Sequence, residues 1–301
     1  MQSNIPNLFI IGAAKAGTTT LYSILARHPQ VFMSRPKATR FFIKESDYKK
    51  GLDWFTQTYF ADAGAYKIRG EATPSYLAQA KKTAPRINET LPNGQTRFIV
   101  IFRNPADRAY SHYWYNRNTK TGFEKVSFER ALEMEEKQGE RKSYSRQFSP
   151  TRDYFKNGLY SECLKEYFRY FDRDQFLLLL FEDIFQDQFQ QTTNRITDFL
   201  NIENISINYT RENQSRRVAS RPTVKFVRKQ RGIMELLKSL LPGRLQKSLR
   251  EQYSNMISKP VKYPPMKMET REKLLERYKP GIVELQEILG RDLSHWTNGG
   301  K

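Results

Sequence analysis

The 301-residue chain has one cysteine, Cys163, three histidines and no long apolar run. A single cysteine rules out an intrachain disulfide. His28, His112 and His295 are scattered along the chain, so a cluster of His and Cys ligands is not expected and no metal site is assigned. The longest apolar runs, such as 176–181, have strand length and are far too short to span a bilayer. The opening residues MQSNIPNLFIIG lack the basic segment and long apolar stretch of a secretory signal. These absences lead us to expect a soluble, cytoplasmic protein without a membrane partner. Acidic residues are in short supply as well. Lys+Arg number 51 against 32 Asp+Glu, a net charge of +19, which favours an anionic partner. Nucleic acid, an acidic polysaccharide, a membrane face and a phosphorylated cofactor all qualify; a charge excess that serves only solubility is the plain alternative.

What is present is material for a core: 38% hydrophobic and 13% aromatic residues, enough for one sizeable globular domain. Continuously apolar runs at 8–11, 98–102 and 176–181 read as strands buried on both faces, and 67–70 as a weaker one. Helical patterns fall at 19–27, 83–90, 107–115, 127–136, 159–171, 188–200 and 270–289. The alternation predicts an α/β fold, a single domain over 1–298 with a central parallel sheet and helices on both faces. Residues 299–301 read as a remnant outside it. Two stretches, 137–151 and 214–232, are basic and without periodicity. They are candidate substrate-side loops, or solvated linkers.

The first strand runs into Gly12-Ala13-Ala14-Lys15-Ala16-Gly17-Thr18-Thr19 and then into a helical pattern. Strand, glycine turn and helix start make a phosphate cradle, because N–H groups at a helix start point at an anion. The spacing is close to a P-loop, but a Walker loop places lysine directly after its second glycine. Here Thr18 holds that place and the cation is Lys15. That argues against an ordinary ATPase. The strand at 98–102 ends in Arg103-Asn104-Pro105, and Ser111 follows on the next helix. Ligands of parallel sheets bind beyond the carboxyl ends of strands. Arg103 and Ser111 therefore suit a second phosphate, while a salt bridge for Arg103 and a helix-surface place for Ser111 are the alternatives. Two separated anion sites point to a nucleotide phosphorylated at both ends of its ribose.

At these two motifs, AAKAGTTTLYSIL and IVIFRNPADRAYSHY, the chain resembles the PAPS-dependent sulfotransferases, in particular the heparan-sulfate type and its bacterial relatives. PAPS is 3′-phosphoadenosine 5′-phosphosulfate. The likeness continues in order through HPQVFMSRPKATRFF (28–42), GEATPSYL (70–77), GLYSECLKEYFRYFDRDQFLLLLFEDI (158–184) and the segment 262–296. The resemblance implies PAPS as donor, PAP as product and no metal. Lys15 would stabilise the leaving oxygen and the sulfonate. Ala16, Gly17, Thr18 and Thr19 would hold the 5′-phosphate, and Arg103 and Ser111 the 3′-phosphate. Arg217 or Arg221 would close over the nucleotide, with Lys259 and Lys262 as a competing pair. Lys37 and Arg40 fall in the segment expected to meet the acceptor, a small molecule or a glycan. A small molecule is favoured, carrying a hydroxyl or an amine or guanidine.

One departure stands out. The family's PKExHFF segment carries a glutamate base, and here it reads Pro36-Lys37-Ala38-Thr39-Arg40-Phe41-Phe42. Either the chain is an inactivated or engineered variant that only binds the nucleotide, or another residue, Glu71 or His112, is the base. A third option is an acceptor nucleophilic enough to do without. Two rival classes fit the sequence less well. A P-loop-like nucleotide kinase lacks its lysine, and Glu182-Asp183 is only a faint trace of its second acid motif. A nucleic-acid binder lacks any helix-turn-helix, zinc-finger or RNP pattern, and no nucleic-acid partner is expected.

Overall fold

Five short strands, nearly all of their side chains buried, build the main sheet: β1 (Leu8–Gly12), β2 (Val31–Met33), β3 (Ile68–Glu71), β4 (Arg97–Phe102) and β5 (Phe176–Leu180). The computed structural model describes residues 4–91, 94, 96–118, 123–138, 152–185, 189–204 and 263–297, together with the backbone of 216–218 and 258–260. Within them the sheet runs β2-β3-β1-β4-β5, every neighbour parallel. A strand such as LFIIG, with five buried residues, is stable only where both faces are covered. The helices of the first half are α1 (Thr18–Leu25), α2 (Glu45–Tyr48), α3 (Gly51–Tyr59), α4 (Ser75–Ala78) and α5 (Ala80–Thr90). Further along come α6 (Pro105–Asn118), α7 (Phe128–Gln138), α8 (Tyr160–Phe168), α9 (Phe181–Phe185) and α10 (Phe189–Leu200). The α/β architecture with a P-loop-like first loop is as the sequence predicts.

The strand order fixes where a ligand can sit. The chain leaves β1 to one side, makes β2 and β3 there, then crosses over to make β4 and β5 on the other side. The loops after β1 and β4 therefore part in opposite directions, and the crevice between them lies at the carboxyl edge. Ala13 N–H still donates to the Ile101 carbonyl at 2.8 Å, which seats the start of the first loop against the end of β4. Side-by-side phenylalanines bind the β4–β5 pair: Phe98 stands opposite Phe176 in register, their rings stacked at 4.7 Å.

The predicted strand 176–181 ends one residue early. Leu180 N–H is taken by Asp183 Oδ2 at 2.9 Å, which turns the chain into α9. The weak strand at 67–70 is β3, and the helix at 107–115 begins at Pro105, capped by Asn104. Its Oδ1 accepts from Ala106 N–H (3.0 Å) and Asp107 N–H (3.3 Å). The strand β2 and the helices α2, α3 and α4 are additions to the sequence expectation. The basic stretch 137–151 lies outside the described residues beyond Gln138.

The chain divides into two compact units, each described by itself. The larger comprises Met1–His112, Val126–Glu212 and Met266–Lys301, and holds the sheet and α11 (Met268–Leu289) and α12 (Ser294–Thr297). The smaller comprises Tyr113–Lys125 and Asn213–Pro265. In it, β6 (Arg216–Val218) pairs antiparallel with β7 (Ser258–Pro260), and the rings of Trp114 and Tyr263 stack at 4.8 Å.

Candidate active site

The loop from β1 to α1 is built around two left-handed residues. Lys15 has φ 73° and Gly17, the N-cap of α1, φ 91°. Glycine takes such a φ freely, whereas a lysine there is strained. Lys15, Ala38 and Arg40 are three of the four non-glycine residues with positive φ among the described residues, and all three follow the carboxyl ends of β1 and β2. Strain gathered at one edge is what a site held in shape by its surroundings shows. Gly17 also needs its bareness, because a Cβ there would come within 2.5 Å of the Phe185 ring. The Ala16 N–H is not turned to a ligand; it donates to the Ala13 carbonyl at 3.1 Å and closes the turn. Of the backbone groups expected in the cradle, those of Thr18 and Thr19 stand in the first turn of α1, which has no acceptors of its own to offer them.

Arg103 comes in from the end of β4. Its Nη1 donates to the Lys15 carbonyl at 3.2 Å, and its guanidinium lies 4.6 Å from the centre of the Phe181 ring. Tyr160 Oη donates to the Arg103 carbonyl at 2.9 Å and steadies the same corner. The two residues the sequence singled out at separate strand ends are thus tied by one hydrogen bond, from the Arg103 guanidinium to the Lys15 main chain. Each feels the cost. Burial, then the Arg103 charge, bring Lys15 down to about 8, and burial lowers Arg103 as well. Ser111 lies on α6, nearly two turns from its start.

The segment after β2 meets the same edge. Thr39 donates to Glu71 Oε1 from its N–H (3.0 Å) and its hydroxyl (2.9 Å), and Thr73 Oγ1 adds a third bond at 2.5 Å. Glu71 Oε2 is buried with no hydrogen-bond partner. Burial pushes this carboxyl up to about 6, against the pull of the threonine bonds and of the Lys37 charge. Lys37 turns back to α1, where its Nζ donates to Thr19 Oγ1 at 2.9 Å and lies 3.5 Å from Thr18 Oγ1. Arg40 is exposed, its N–H donating to Thr73 Oγ1 at 3.2 Å. His112 Nδ1 is buried without a hydrogen-bond partner, and its ring stands edge-on to Tyr154. Burial, then the Arg108 and Lys15 charges, hold it down to about 3, so it is neutral at pH 7.

Two sequence expectations resolve elsewhere. Asp183 of the FED segment spends its oxygens on Arg291 (2.6 and 2.9 Å) and Leu180 N–H, and Trp296 Nε1 donates to Glu182 at 3.3 Å. The segment is a strut between α9 and the end of the chain. Arg217 lies in β6, where the backbone register pairs it with Lys259, its competitor for the same role. Arg221 and Lys262 lie outside the described residues. Among the described residues, no three or more His, Cys, Asp and Glu gather as metal ligands, and no helix is long and apolar enough to cross a membrane.

Fold and site together define a P-loop-like α/β protein in which the cradle lysine precedes the second glycine. The family follows from comparison. A model of the sulfotransferase domain matches residues 6–242, so the chain belongs to the sulfotransferase domain family. It is 34% identical over 138 residues to the membrane-associated sulfotransferase kil1 of Dictyostelium discoideum, covering 44% of this chain and 28% of that protein. It is 26% identical over 302 residues to a bifunctional heparan sulfate N-deacetylase/N-sulfotransferase 1 of Xenopus tropicalis, covering 97% of this chain and 31% of the relative. The chain thus spans about a third of the length of these curated relatives. The crystal structure of a sulfotransferase from Alicyclobacillus acidocaldarius superposes with a TM-score of 0.66 at 24% identity, over 97% of this chain and 98% of that one, and shows the same fold.

Proposed function

We propose that this sulfotransferase moves a sulfuryl group from PAPS to a hydroxyl or to an amine or guanidine nitrogen, on a small molecule or a glycan, and releases PAP. The observation that carries the reading is the Lys15–Arg103 pair, two partly buried cations brought together where Arg103 Nη1 donates to the Lys15 backbone carbonyl, beside the start of α1. Gathering like charges away from water is unfavourable by itself, and an anion with two separated charged groups relieves it. Lys15 and the first turn of α1 suit the 5′ end of such a nucleotide, and Arg103 with Ser111 suits the 3′-phosphate. The residues present therefore fit the donor.

In the transfer, the acceptor lone pair forms a bond to sulfur. The bond from sulfur to the 5′-phosphate oxygen breaks, and its electron pair stays on PAP. The acceptor proton needs a base. Glu71 suits that role better than His112, because a carboxyl brought up to about 6 is ionised near neutrality yet still basic, whereas an imidazole held near 3 is a weak base. Its free oxygen, Oε2, is the one that would take the proton. Arg40, exposed beside Thr73, suits the acceptor side. PAP release from PAPS, measured with small alcohols, amines, guanidines, phenols and glucosamine-containing glycans in turn, tests the reading. At least one class is expected to raise PAP release well above the acceptor-free rate; no rise with any of them counts against it.

A further inference from the structure

Lys37 is a half-buried cation for which the donor groups above leave no task. Its segment resembles an acceptor-facing one, yet its Nζ points back to the first two residues of α1 and donates to Thr19 Oγ1 at 2.9 Å. Among the described residues, no carboxylate lies within ion-pair distance of it; its partners are the two threonine hydroxyls. Its charged neighbours are Lys15 in the loop after β1 and Glu71 on β3, which act on it in opposite senses. An ammonium at the N-terminal end of a helix faces the positive end of the helix dipole. With Lys15 beside it, that placement is unfavourable until an anion arrives. The Thr19 hydroxyl gives the ammonium a neutral acceptor, whereas an anionic oxygen would add the attraction of an opposite charge. Lys37 is therefore held ready at the cradle by a bond that a ligand can replace.

We propose that Lys37 is a second lysine on the donor: when PAPS binds, Nζ exchanges the Thr19 hydroxyl for a sulfonate oxygen. This rests on the PAPS reading and divides the labour within it. Lys15 serves the leaving phosphate oxygen, Lys37 serves the sulfonate, and the released Thr19 hydroxyl is free to donate to the 5′-phosphate. Charge on the transferring oxygens is then met from two sides without reorganisation at the moment of transfer.

Calorimetric titration of the whole chain with PAPS and with PAP, which lacks the sulfonate, separates the possibilities. Lys37→Met is expected to weaken PAPS by about ten-fold or more and PAP by less than about three-fold, because only PAPS presents the oxygen that Lys37 meets. Lys37→Arg is expected to keep PAPS within about three-fold. Burial holds Lys37 near 8, so at pH 8.5 wild type should also take up more protons on binding PAPS than Lys37→Arg does. This readout survives if Lys37→Met fails to fold. Equal losses for both ligands, no loss for PAPS, or equal proton uptake by wild type and Lys37→Arg overturns the proposal. If wild type binds neither ligand, the PAPS reading itself has failed, and the inference with it.

Discussion

Glu71 holds two opposed positions in one side chain. Oε1 accepts three hydrogen bonds, two from Thr39 that pin the 37–42 loop and one from Thr73, while Oε2 is buried and unmatched. The net effect is a carboxyl pushed up from 4.5 to about 6, on the order of 2 kcal/mol against the charged form. The folded state then holds the proton more tightly than the unfolded chain. Stability from this group is present below about pH 4.5 and is lost as pH rises through about 6. Urea unfolding across that window should show wild type losing stability relative to Glu71→Gln as pH rises; a constant difference would mean that Glu71 does not carry the burial cost. That Lys15 and Arg103 come together was legible in the sequence because each lies in a local strand-to-helix motif at the carboxyl end of its strand. The Glu71–Thr39 clamp and the Lys37–Thr19 bond span 32 and 18 residues. No local pattern announces them, and so Lys37 was expected with the acceptor and is found against the phosphate loop.

Among the elements, the turn into α1 depends on Gly17 more than on any side chain. Its φ of 91° and the Phe185 ring below it leave no room for a Cβ. Gly17→Ala should therefore cost about 1–2 kcal/mol in backbone conformation alone, with more from displacing Phe185. Chemical denaturation measures the loss. A change below about 0.5 kcal/mol, the ordinary range for a harmless surface substitution, would show that the turn can be built another way. The continuously apolar strands β1, β4 and β5 were readable, since such a run has few other uses. β2 was not, because three residues, Val-Phe-Met, carry no periodicity. Likewise α2 and α4 are four residues each and below the length at which a helical repeat shows. β5 ends one residue short of the apolar run because Phe181 continues that run, while the side chain of Asp183 decides the turn.

For the whole molecule, the excess of basic residues has a local meaning as well as a global one. The crossover from β3 to β4 brings the loops after β1 and β4 to one crevice, and burial there costs both Lys15 and Arg103 part of their hold on a proton. A nucleotide with phosphate at both its 5′ and 3′ positions matches that pair of cations; a 5′-monophosphate matches half of it. The most direct measurement is calorimetric titration of the whole chain with PAP, with adenosine 5′-monophosphate and with magnesium ATP, repeated on Lys15→Ala. PAP is expected to bind at least about ten-fold more tightly than adenosine 5′-monophosphate, a gap of ~1.4 kcal/mol, and Lys15→Ala to weaken PAP. Binding of magnesium ATP without binding of PAP, or equal PAP affinity in wild type and Lys15→Ala, would contradict a site built for a nucleotide phosphorylated at both ends.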